Sequence, residues 1–236
     1  MSSLSKKEYV LASGNQGKLS ELVAMLRPLG FTVRPQSDWQ VPEAEENAAT
    51  FVENSLIKAR QAAGYTGLPA IADDSGLVVR VLNGEPGIYS ARYAGAAANA
   101  RANMDKLLVE LAGRSGDERQ AYFYCVLVLV NSVDDPAPLI ATGRWYGQIL
   151  TTPRGDGGFG YDPLFGVAGL SSPEHDHTDV GGRVPKVGAL GDAGAVTELI
   201  SAAELAPSDK SRISHRGLAL TELIRQLRER DADFTE

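Results

Sequence analysis

Two adjacent carboxylates, Asp73 and Asp74, close the apolar stretch in "PAIADDSGL". Acids set against a core are costly unless a cation answers them. Mg²⁺ suits such a place, because it is hard, prefers oxygen and usually takes one or two carboxylates, filling its shell with substrate phosphate oxygens and water. Successive strand residues point to opposite faces, so only one of the two acids would meet a given ligand. An Asx-type turn with solvated acids is the alternative reading.

A second candidate is "SGNQGK", Ser13 to Lys18, which reads as a strand end, a tight turn and the start of a helix. The first N–H groups of a helix are unpaired and carry partial positive charge, which suits a phosphate. Gly14, Gln16 and Gly17 would bring backbone to that anion, with Ser13, Asn15 and Lys18 as side-chain donors. This is not a Walker A loop: Ala12 stands where that pattern has its first Gly, and Leu19 follows Lys18 in place of Ser or Thr. A capped helix with a solvated lysine is the competing interpretation.

Two later segments add recognition chemistry. In "GFGYDP" the glycines flanking Phe159, Gly158 and Gly160, let backbone and ring approach a flat ligand, while Tyr161 and Asp162 offer stacking and hydrogen bonds. An aromatic loop packed on the core would look the same. In "KSRISHRG" three cations, among them Lys210 and Arg216, and His215 are expected just before the last helix. Cations near a helix N-terminus are unfavourable, so an anionic or carbonyl-bearing ligand would account for them better than helix stability does, with a solvated basic patch as the alternative.

Other reactive residue types read as structural. His175 and His177 in "EHDH" lack a third ligand at set spacing and are expected to be solvated. Cys125 is the only cysteine and lies within "YFYCVLVLV", so it is expected as a buried thiol, and no disulfide can form within the chain. Glu85 and Arg92 in "GEPGIYSARYAG" are wall or loop-packing residues.

The elements that must position these residues follow from periodicity. "YVLAS" is a strand, Leu19, Leu22, Val23 and Leu26 share a helical face, and "FTVRPQ" is a second strand, giving a β-α-β unit. Ala48 to Ala63 reads as a helix closed by Gly64, with Asn54 and Lys58 along one edge of its apolar face. "LPAIADDSGLVVRVL" reads as two strands joined by a turn at Asp73 to Gly76. A third helix is marked by Met104, Leu107, Leu108 and Leu111. "AYFYCVLVLV" is apolar on both faces and is expected at the sheet centre, pairing with "PLIATGRWYGQIL" through "NSVDDPAP". The last helix runs through Leu220, Leu223, Ile224 and Leu227. Together these predict an α/β fold with a mixed sheet flanked by helices.

The whole chain, 1–236, is expected to form one catalytic domain, with polar tails at 1–7 and 230–236 and a Gly-rich insertion at about 167–195. At 236 residues and 43% hydrophobic it can bury a substantial core. A net charge of −7 argues against binding polymeric nucleic acid, which calls for basic stripes. No run reaches about 18 apolar residues, and "MSSLSKKEY" lacks the apolar middle of a signal peptide, so a soluble cytoplasmic protein with no membrane partner is expected.

Taken in order, "SGNQGK", "FVENSLIKAR", "PAIADDSGL", "GEPGIYSARYAG", "GFGYDPLF" and "KSRISHRG" resemble the inosine/xanthosine triphosphate pyrophosphatases, the Ham1-like family, from about residue 9 to 228. The resemblance implies an elongated α/β structure of two lobes with a central substrate cleft, usually a homodimer. It implies Mg²⁺-dependent hydrolysis of ITP, dITP and XTP to the monophosphate and pyrophosphate. Carried onto this sequence, Ser13 to Lys18 and Lys58 hold the triphosphate, and Asp74 is general base and metal ligand. Glu46 is the second metal carboxylate, with Glu45 as its rival, and Asp73 and Ser75 support or contact substrate. Phe159 to Asp162 form the base loop, and Lys210, His215 and Arg216 contact base and phosphate. The connection from Gly166 to Lys210 is longer than the family pattern by roughly 25 to 30 residues, as a lid or surface insertion would be. Two rival activities share the phosphate seat: cleavage of pyrimidine or modified nucleotides, and nucleotide sensing without catalysis.

Overall fold

The computed structural model describes residues 8–168 and 199–233. The chain carries seven strands in one mixed sheet, ordered β2-β1-β3-β4-β5-β6-β7. They are β1 (Glu8–Ala12), β2 (Thr32–Pro35), β3 (Ala70–Val79), β4 (Gln120–Val130), β5 (Leu139–Ile149), β6 (Phe165–Ala168) and β7 (Leu199–Ser201). β1 runs parallel to β2 and β3, whereas β6 is antiparallel to β5 and β7. The helices are α1 (Gln16–Leu26), α2 (Phe51–Thr66), α3 (Ala100–Glu110), α4 (Pro207–Ile213) and α5 (His215–Asp233). None of the described helices is long and apolar enough to cross a membrane.

Two compact units divide the chain. The first comprises Met1–Ser75, Tyr124–Arg144 and Ser214–Glu236. Its strands alternate as half-turn geometry requires. Leu11, Ile71, Cys125, Leu127 and Leu129 face one layer with Leu19, Leu22 and Leu26 of α1 and Leu220, Leu223 and Leu227 of α5. Val10, Ala12, Ala70, Ala72, Val126 and Val128 face the other, against Ala59, Ala62 and Ala63 of α2. On the first side, a Cβ at Gly143 would fall 2.6 Å from the backbone nitrogen of Ala219, so glycine lets α5 close on β5.

The second unit comprises Gly76–Phe123 and Trp145–Ile213. Its core is aromatic, with Phe123, Trp145 and Phe165 in mutual ring contact and Leu77, Leu107, Leu111 and Ile213 around them. A Cβ at Gly147 would lie 2.5 Å from the Gly166 carbonyl, so that glycine permits the β5–β6 approach.

The expected α/β class, mixed sheet, parallel β-α-β start and central β4 are all present. Several boundaries differ. "AIADDSGLVV" is one strand, without the turn expected at Asp73 to Gly76. The acids need no turn to reach water because buried cations answer them in place. α2 begins after Thr50, whose side chain accepts from the Glu53 N–H, and ends at Gly67 with φ 67°, so Gly64 is interior. Lys210 and Arg212 lie within α4, and His215 and Arg216 open α5 instead of preceding it. The tail expected from residue 230 is helical as far as Asp233. The first residues of the expected insertion, 167 and 168, belong to β6, while its remainder, including His175 and His177, and the 1–7 tail lie outside the described residues.

Candidate active site

The strand end, turn and helix start expected at Ser13 to Lys18 are present. β1 ends at Ala12, and Asn15 caps α1 by accepting the Lys18 N–H at 3.1 Å. Ser13 Oγ in turn accepts the Asn15 N–H at 3.2 Å. The acceptors of Ser13 and Asn15 therefore shape the turn and cap the start of an eleven-residue helix.

Lys18 is not solvated. Its Nζ lies 2.8 Å from Asp73 Oδ1, and its side chain is only 15% exposed. Asp73 is wholly enclosed by donors. Ser75 Oγ donates to Oδ1 at 3.1 Å, while Arg216 Nε and the Cys125 thiol donate to Oδ2 at 2.9 and 3.1 Å. Burial alone would raise the Asp73 pKa, but Arg216 and Lys18 outweigh it and hold the carboxyl well below its ordinary value. Burial, aided by Asp73, pushes the Cys125 thiol up.

Among the described residues Arg216 is the largest fully buried side chain, and it also pairs with Glu21 of α1 and donates to Ser75 Oγ at 3.0 Å. Its conflict with the α5 dipole is thus met by two carboxylates of the protein, where the sequence pointed to a ligand. His215, beside it, is buried.

Asp74 faces the other way, as strand alternation demands. Lys58 Nζ, from α2, lies 3.0 Å from Asp74 Oδ1 and 3.0 Å from Glu46 Oε1. Burial raises the Asp74 pKa, and Lys58 only partly offsets it. The Lys58 ammonium is held against its own desolvation by Asp74 and Glu46. Asp74 Oδ2 is buried with no hydrogen-bond partner among the described residues. The carboxylates of Asp74 and Glu46, with Asp74 Oδ2 buried and unsatisfied, are hard oxygen donors of the kind a divalent ion takes. Among the described residues no group of three or more Asp, Glu, His or Cys could hold a metal ion, and an ion held by Asp74 and Glu46 would need further oxygens from substrate and water.

In the second unit, Asp162 Oδ2 accepts the Phe159 N–H at 2.7 Å and Lys210 Nζ at 2.8 Å. Lys210 Nζ also lies 5.1 Å from the Phe159 ring centroid. The base-loop residues and Lys210 are therefore brought together. Tyr161 departs from its expected stacking role: it is buried, with its hydroxyl donating to the Ser90 carbonyl at 2.9 Å. Glu85 accepts from the Tyr93 hydroxyl, and Arg92 lies over the Tyr89 ring, as loop packing requires.

A Ham1 family model matches residues 9–176. The chain belongs to the Ham1 family. A relative in Vibrio cholerae named dITP/XTP pyrophosphatase is 48% identical over 223 residues, covering 94% of this chain and 98% of that protein. One of the same name in Thioalkalivibrio sulfidiphilus is 48% identical, covering 94% and 100%. The solved Ham1 protein of Coxiella burnetii superposes with a TM-score of 0.75 at 44% identity, covering 94% of this chain and 99% of that one.

Within this Ham1 chain, sequence reasoning missed Glu21, Asn54 and Gln61. Glu21 stands one turn after Lys18 on α1, a spacing that hinted at a shared partner network. Asn54 was legible only as a neighbour of Lys58 on the helix edge.

Proposed function

We propose that this chain hydrolyses non-standard purine nucleoside triphosphates, ITP, dITP and XTP, to the monophosphate and pyrophosphate, with Mg²⁺, and so cleanses the nucleotide pool. The observation that carries the reading is the unsatisfied Oδ2 of buried Asp74 beside the Lys58 bridge to Glu46. Relatives spanning nearly their whole length share its frame and bear the name dITP/XTP pyrophosphatase.

Asp74 and Glu46 would hold the ion, which when bound neutralises phosphate charge and makes the α-phosphorus more electrophilic. The turn from Ser13 to Lys18, with Gly14, Gln16 and Gly17 supplying backbone and Ser13, Asn15 and Lys18 side-chain donors, grips the triphosphate, and Lys58 assists. Asp74 orients a water and takes its proton as oxygen attacks the α-phosphorus. The bond from that phosphorus to the bridging oxygen breaks, and pyrophosphate leaves. Asp73 and Ser75, fixed by Arg216, hold Lys18 in place. Phe159, Gly160, Asp162, Lys210 and His215 carry base recognition, while Tyr161, buried and tied to the Ser90 carbonyl, holds their loop in place. A fixed donor toward O6 meets an acceptor in hypoxanthine or xanthine and an amino group in adenine, which is worth about 1–3 kcal/mol.

In this reading residues 1–236 make one catalytic domain, active as a homodimer in the cytoplasm on small molecules, apart from nucleic acid and membranes. The test is pyrophosphate release across a nucleotide panel with and without Mg²⁺, with Asp74→Asn alongside. Turnover of ITP and XTP well above ATP and UTP, lost with chelator and in the variant, is expected. Equal turnover of ATP, or an undiminished Asp74→Asn enzyme, would refute it.

A further inference from the structure

The segment that carries Glu46 belongs to no helix or strand, yet its carboxylate meets Lys58 at hydrogen-bond distance. An unsupported loop would leave a metal-side carboxylate free to wander, and something must fix it. Helix α2 supplies three attachments along one edge, at i, i+4 and i+7. Asn54 Oδ1 accepts the Ala48 N–H at 3.1 Å, two residues after Glu46. Lys58 holds Glu46 itself at 3.0 Å. Gln61 Nε2 donates to the Pro42 carbonyl at 2.6 Å, four residues before it.

The attachments occur in reverse order along the two segments, so residues 42–48 lie antiparallel to the helix edge, with the carboxylate between two anchors. The outer anchors both grip backbone, which sets the path of the chain independently of side-chain charge. Asn54 is 1% exposed, and its Nδ2 has no hydrogen-bond partner among the described residues. Burying an amide with half its capacity unused is costly, and the bond to Ala48 is the one its oxygen makes.

We propose that Asn54 and Gln61 are positioning residues for the metal site: they strap the Glu46 segment to α2 and thereby set the affinity for the divalent ion. This rests on Glu46 being a ligand, as argued above. The strap restricts Glu46 before the ion arrives, so loosening it makes the ion bear the cost of ordering the segment. Its effect should therefore fall on metal dependence more than on chemistry at saturating metal.

The experiment compares Gln61→Leu, Asn54→Leu, Glu46→Gln and the two double variants carrying Glu46→Gln. Mn²⁺ binding to the substrate-free protein is followed by electron paramagnetic resonance. The Mg²⁺ concentration giving half-maximal ITP turnover and the thermal midpoint are measured in parallel. Each strap variant is expected to weaken Mn²⁺ binding and raise the half-maximal Mg²⁺ about fivefold or more, with turnover largely recovered at high Mg²⁺. In the Glu46→Gln background the same changes should add less than about twofold, because there is no longer a carboxylate to position. Gln61 is only half-buried, so its variant keeps the test informative even if Asn54→Leu fails to fold. Normal metal dependence in folded Gln61→Leu, or full additivity with Glu46→Gln, would overturn the strap. A Glu46→Gln protein with unaltered Mn²⁺ binding and Mg²⁺ dependence would instead refute the ligand role of Glu46.

Discussion

Arg216 Nε lies 2.9 Å from Asp73 Oδ2, and the two side chains are 1% and 0% exposed. A buried pair of this kind is bound to its surroundings: removing either partner strands the other's charge. Here Asp73 also answers Lys18, so a single carboxylate on β3 ties α1 to α5. The phosphate turn is thereby fixed from beneath by charge, in addition to the apolar contacts of α1.

Asp73→Asn should therefore destabilise the protein by about 3 kcal/mol or more at neutral pH, since two buried cations lose their shared counterion. The pH dependence has a definite sign. The folded-state pKa of Asp73 is depressed, so its contribution is complete above the ordinary carboxylate value near about 4 and is lost as pH falls from there through the lower folded value. Urea midpoints at pH 7, 5 and 3.5 check this. The gap between wild type and variant should be constant from pH 7 to 5 and narrower at 3.5, and a gap that widens on acidification would contradict it.

Gly143→Ala tests how closely α5 must pack. The new Cβ would press on the carbonyl oxygen of His215 and lie 2.6 Å from the Ala219 nitrogen, and backbone atoms cannot swing aside. Overpacking of this kind costs about 1–3 kcal/mol, or about 2–10 °C in the thermal midpoint of a chain this size. Because the shifted turn carries His215 and Arg216, ITP turnover should fall as well. Calorimetry and turnover on the same sample decide it, and a midpoint within 1 °C of wild type would show that the helix has room to spare.

How far the sequence reveals this protein depends on which force acts. The unbroken apolar run from Cys125 to Val130 is written in residue type, so the central strand was legible, while its division between two packed layers is seen only in the structure. The Asp73–Asp74 turn was misread because local rules favour a bend at "DDSG", whereas Arg216, 143 residues away, makes an extended carboxylate acceptable. The same long-range pairing answered the cations of "KSRISHRG", whose local context pointed outward. The contacts of Asn54 and Gln61 were invisible for a different reason: they bond backbone atoms of a segment without periodic structure, and no residue type in that segment advertises them.

Lys210→Met probes base recognition separately from phosphate chemistry. In the wild type, the Lys210 ammonium and the Phe159 N–H both point at Asp162 Oδ2, at 2.8 and 2.7 Å, so the cation and the base loop share one acceptor. Methionine keeps roughly the length and apolar stem of the side chain and removes the ammonium with its charge and donors. Asp162 would lose a charge-assisted bond, and the loop would lose the cation beside the Phe159 ring. The kcat/KM for ITP should drop at least about tenfold, and the ITP-to-ATP ratio should shrink by roughly ten- to hundredfold, because a donor that separates a carbonyl from an amino group is gone. Tripolyphosphate inhibition should stay within about twofold of wild type, since the turn at Ser13 to Lys18 is untouched. An unchanged ITP-to-ATP ratio would remove Lys210 from recognition and leave it as a structural partner of Asp162.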